Sequence, residues 1–151
     1  MGNLNKVKKF LSLDTKTMLI FIEAFLYLGW ARFLIFLPFS KVAPSLGAQM
    51  EETSNVQIHK HTATLLKVHD VIQIMSQHTL WDSKCLVKAI AALKMLENRQ
   101  IESTLYLGTG RDDSGKMVAH AWLRSGPFYI TGAEGMERFA VVGKFAKYIS
   151  E

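Results

Sequence analysis

The order of hydrophobic patterns predicts an α+β fold, with N-terminal helices packed on a C-terminal antiparallel sheet. Three observations predict it. A long apolar stretch and two segments of helical spacing occupy the chain up to Arg99. After Gln100 the period changes from helical to alternating. Short clusters of turn formers then separate the alternating segments.

The apolar stretch Met18–Phe39 is the first element, with Asp14 or Thr15 to cap its start and Pro38 to end it. Its length suits a membrane span. Glu23 and Arg32 argue against one, because each costs about 2.5–3.5 kcal/mol near the centre of hydrocarbon. The stretch is better read as a helix lying on a surface. That surface is the protein's own core, a partner protein or, as a peripheral contact, a membrane. Ala43–Asn55, with Pro44 and Gly47, reads as a connection. Between His61 and His78 the spacing of Leu65, Val68, Ile72 and Met75 marks a second helix with one buried stripe. Ser83–Arg99 forms a third, rich in strong helix formers, with Leu86, Ile90, Leu93 and Leu96 near one face and Asp82 or Ser83 as its N-cap.

Three strands follow: Ser103–Gly110, Met117–Arg124 and Phe128–Thr131. Gly110–Lys116 and Ser125–Pro127 turn the chain between them. Gly132–Gly135 breaks the third strand. The closing segment RFAVVGKFAKYI is either another strand or a short terminal helix.

The length, 151 residues, fits one domain. Residues 1–50 read as an apolar N-terminal helical region of the domain whose core is 51–151. Net charge is +5, but the cations are scattered apart from Lys6, Lys8 and Lys9. No basic run with interleaved aromatics suggests nucleic acid. No cleavable signal follows the N-terminal lysines, so the expected compartment is the cytoplasm, where a thiol stays reduced.

Cys85 is the single cysteine, which excludes an internal disulfide and a multi-cysteine metal site. Its place in WDSKCLVKA puts it in the first turn of the third helix. Unpaired N–H groups and the positive end of the helix dipole there favour a sulfur anion and an acyl-transfer oxyanion. Of five histidines, His59, His61, His69 and His78 lie in or beside polar or helical segments, as solvated or structural residues do. No acid or cysteine near His59 and His61 completes a metal site, and no cofactor is expected. His120 lies inside the strand VAHAWLR, where alternation puts Val118, His120 and Trp122 on one face. A helix-borne cysteine followed by a strand-borne histidine is the order found in papain-like and transglutaminase-like enzymes.

WDSKCLVKAIAALKML, STLYLGTG, AHAWLRSG and ITGAEGMERFAVVGKF together resemble the transglutaminase-like B-protein family of lasso-peptide biosynthesis, in its split form the protease half of a pair. The resemblance implies a transglutaminase-like/papain-like cysteine protease core over residues 51–151. It implies a leader peptidase with Cys85 as nucleophile and His120 as general base and acid. Its implied partners are a precursor peptide, a separate leader-recognition protein and the ATP-dependent lasso cyclase that uses the product. The family pattern also expects an acid or amide to orient the histidine. Thr131 or Gly132 falls opposite His120 and neither is a carboxylate, which leaves Glu134 or Glu137 to reach back from the loop. An acyltransferase on the same fold, or a binding module with a degenerate site, are the alternative readings.

Overall fold

The computed structural model describes residues 2–150 and has the predicted α+β architecture. Five helices precede or flank a five-stranded antiparallel sheet. The helices are α1 (Gly2–Leu11), α2 (Thr15–Leu34), α3 (Phe39–Leu46), α4 (Thr62–Ser76) and α5 (Cys85–Asn98). The strands are β1 (Ala48–Gln49), β2 (Ser103–Arg111), β3 (Met117–Ser125), β4 (Phe128–Thr131) and β5 (Ala140–Lys147), in the order β1-β5-β2-β3-β4.

Asp14 caps α2, accepting from Thr17 N at 3.3 Å and from the Thr17 hydroxyl at 2.6 Å. The helix stops at Leu34, four residues before Pro38, and the apolar stretch ends in a turn. A second helix starts at Phe39 and takes the first four residues of the connection expected over Ala43–Asn55: this is α3. Pro44 sits inside it, lacking a backbone donor. The burial of Val42 and Leu46 in the core holds the short helix together against that loss. Gly47 has φ +129°, and a side chain there would collide with the Ala146 carbonyl. That close approach lets Ala48 and Gln49 pair with Ala146 and Phe145 as an edge strand. The closing segment, left between strand and helix by its pattern, is strand β5 between β1 and β2.

α5 is the central helix. Val87, Ala89, Ile90, Ala91, Ala92, Leu93, Met95 and Leu96 are all buried, more than the single stripe predicted. A helix apolar nearly all round is one covered on several sides. Here α2 and α4 cover one side and the sheet covers the other. Ile20, Ala24, Leu28, Ala31 and Leu34 form the inward face of α2, at helical spacing. Glu23, anomalous in so apolar a helix, has its reason in Arg99 at the end of α5: the guanidinium donates twice to its carboxylate, at 2.8 and 2.7 Å. α2 is long and apolar enough to cross a membrane, yet only 28% of its most apolar window is buried within the molecule.

Candidate active site

Cys85 is the first residue of α5. The predicted N-caps are not the observed one. The cap is Lys84, in extended conformation and without a side-chain cap bond. Ser83 is otherwise engaged, its hydroxyl 2.8 Å from that of Thr79, which also donates to Trp81 O at 2.9 Å. The helix therefore begins two residues later than predicted, and Cys85 stands at its opening. No capping oxygen competes for the first-turn N–H groups, so they are available to an incoming anion. Cys85 is half-buried and packs against the core. Trp81, four residues before it, packs on the core with its ring tilted against Phe25 of α2, ring centroids 5.2 Å apart.

His120 lies on β3 opposite Gly108 of β2. Its neighbours on the strand, Ala121 and Leu123, enter the core. The alternate residues His120, Trp122 and Arg124 belong to a separate row. Tyr106 stacks on Trp122 at 5.6 Å, Trp122 on His120 at 5.7 Å, and Phe139 closes the row 4.9 Å from the imidazole. Glycines make room for it. A side chain at Gly108 would come within 2.9 Å of both Trp122 and Phe139, and one at Gly110 within 2.7 Å of Arg138 O. The Tyr-Leu-Gly-Thr-Gly run is thus explained by the aromatic bed of the histidine.

The imidazole has one hydrogen-bond partner: Nε2 lies 2.7 Å from Gly132 O. A carbonyl only accepts, so Nε2 carries a proton, and the uncharged tautomer that fits this bond has Nδ1 as its acceptor. Gly132 reaches this position because β4 has an irregular register against β3 after Leu123. Its φ is +72°, and a side chain would collide with the Ala121 carbonyl and lie 2.9 Å from Trp122 Cβ. His69 steadies the same strand from α4, with Nδ1 2.8 Å from Ile130 O. Glu134 and Glu137 are exposed, and neither is hydrogen-bonded to His120.

Sequence reasoning looked for an orienting side chain and so passed over a backbone carbonyl. The irregular ITG strand end was the available signal. The chain returns from α5 through four residues into β2, whose Gly108 lies opposite His120. Among the described residues no hydrogen bond joins Cys85 and His120.

At the other end of the row, Arg124 is buried and makes four hydrogen bonds. Nε donates to Tyr106 Oη at 2.9 Å, and the terminal nitrogens donate to Thr53 O, Ser54 O and Gly126 O. Tyr106 in turn donates to Glu52 at 2.6 Å. That bond, foremost, holds the Glu52 carboxyl below the usual carboxylate range, with Lys144 and Arg124 adding to it. Burial first, and then Glu52, raise the Tyr106 phenol. A cleft of about 330 Å³, bordered by Val56, Ile58, Leu65 and Phe128, includes neither Cys85 nor His120. Its titratable lining is His61 and Glu102 alone. Among the described residues, no cluster of three or more His, Cys, Asp or Glu is placed to hold a metal.

The family model described as the transglutaminase-like superfamily matches residues 33–144. That span runs from the end of α2 through β5 and includes Cys85, His120 and Gly132. No curated protein and no solved structure matches the chain.

Proposed function

The chain belongs to the transglutaminase-like superfamily, which includes cysteine peptidases and transglutaminases, and on that premise we propose that it is a leader peptidase acting on a ribosomally made lasso-peptide precursor. The observation that carries the proposal is a cysteine opening an uncapped buried helix, in one domain with a strand histidine whose Nε2 is already engaged. The narrowing to a leader peptidase rests on the motifs Trp81-x-x-x-Cys85-Leu86, Tyr106-Leu107-Gly108 and Ala119-His120-Ala121-Trp122.

In this reading Cys85 Sγ attacks the carbonyl carbon at the leader–core junction. The carbonyl π electrons pass to oxygen, and the first-turn N–H groups of α5 receive that oxyanion. His120 takes the thiol proton at Nδ1 and delivers it to the departing amine nitrogen as the C–N bond breaks. A thioester remains on Cys85. Water, giving its proton to His120, displaces the sulfur and releases the leader. Gly132 O holds the imidazole in the productive tautomer throughout, as a carboxylate or amide does in other members of this mechanistic class. A leader-recognition protein delivers the precursor, and the lasso cyclase takes the freed core.

Incubating the precursor with the protein, with and without the recognition protein, and weighing the products tests this. Two peptides whose masses sum to precursor plus water are expected, and Cys85→Ala and His120→Ala should form neither. A joined product with an added amine would make the protein an acyltransferase. Unchanged processing by Cys85→Ala would sink the peptidase reading.

A further inference from the structure

α1 and α2 present a surface that neither the core nor the candidate site uses. The outward side of α2 and the turn after it carry Leu19, Leu26, Trp30, Phe33 and Phe36, each at least half exposed. α1 packs beside α2 and brings an apolar row of its own. Phe10 meets Phe21 of α2 with ring centroids 6.3 Å apart, while Leu4, Val7 and Leu11 form an exposed row at helical spacing. Cations accompany the apolar side chains. Residues 2–46 hold Lys6, Lys8, Lys9, Lys16, Lys41 and Arg32 against Asp14 and Glu23, six less two, or four of the chain's five net positive charges. Both acids are occupied, Asp14 in capping α2 and Glu23 with Arg99.

The opposite face of α2 decides how such a surface is used. Ala24, Leu28 and Ala31 are fully buried against the domain. The helix therefore cannot be wrapped by lipid on all sides, as a spanning helix is. It can lie in an interface with one side wet by acyl chains, an amphipathic residue such as Trp30 at the headgroup level, and lysines toward the phosphates. An apolar stripe in a segment of net charge +4, whose two acids are both engaged, complements an anionic bilayer.

We propose that α1 and the outward face of α2 rest on an anionic lipid membrane, with α2 parallel to its surface. The full chain, sedimented with vesicles, tests this. Binding to phosphatidylcholine mixed with phosphatidylglycerol should exceed binding to phosphatidylcholine alone by about tenfold or more, and should weaken as salt is added. The pair Leu26→Glu and Trp30→Glu should abolish binding. Lys6→Glu, Lys8→Glu and Lys9→Glu together should remove the preference for anionic vesicles. Val142→Glu, exposed on β5, should leave binding unchanged. Circular dichroism keeps the comparison to folded variants. Absent binding, equal binding to both vesicles, or undiminished binding by the α2 variant would overturn the proposal. So would concentration-dependent dimers that the α2 variant abolishes, in a protein that does not bind vesicles.

Discussion

A single backbone oxygen, that of Gly132, sets the tautomer of His120, and only glycine can present it there. Gly132→Ala should therefore lower kcat about 100-fold, the usual effect of displacing a reacting group by an ångström. KM should stay nearly constant, because what the ring loses is the acceptor that fixes its tautomer. A merely unfolded variant would instead lose its far-ultraviolet dichroism. Glu134→Ala and Glu137→Ala should retain near wild-type cleavage, since both carboxylates are exposed and unbonded to the ring. Cys85, half-buried at a helix opening, should take up one iodoacetamide, seen as one adduct by mass and absent from Cys85→Ala.

Between elements, two polar contacts join parts of the chain far apart in sequence. Glu23 of α2 and Arg99 beyond α5 form a two-point ion pair whose side chains are 23% and 27% exposed. Removing the carboxylate with Glu23→Gln leaves the guanidinium partly buried without its charge partner. The loss expected from urea unfolding is about 1–3 kcal/mol. Glu52 ties the segment before α4 to Tyr106 on β2. Its folded-state pKa is depressed, chiefly by that bond, so its contribution to stability is present above the ordinary carboxylate range. The contribution disappears as pH falls through the lowered value. On going from neutral pH to below about pH 4, the urea midpoint should fall further in the wild type than in Glu52→Gln.

At the scale of the molecule, α2 faces two environments. Leu28 is fully buried and Leu26 is 63% exposed, two residues away on the same helix. Leu28→Ala should cost about 2–5 kcal/mol through lost burial and the cavity left behind. Leu26→Ala should stay within about 0.5 kcal/mol, as a surface change does. Denaturant titration of the two variants distinguishes a helix built into the core from one merely laid against it. The inward half secures α5 and hence the position of Cys85. The outward half remains free to meet a bilayer.

The chain's own pattern determined α4, α5, β2, β3 and β4, and placed Cys85 at a helix start and His120 on a strand. These follow from neighbours within a few residues, where i, i+3 and i+4 spacing or alternation acts directly. Only the tertiary structure decided the rest. The end of α2 at Leu34 and the separate helix α3 lie outside that local pattern, and β1 exists because Ala48 meets Ala146. Glu23 is tolerated because Arg99, seventy-six positions on, answers it. The partner of His120 is a carbonyl, a group every residue carries and no composition reveals. It was found where an irregular strand and a positive φ aim it at the ring, because hydrogen bonding depends on position and direction that only the folded chain supplies.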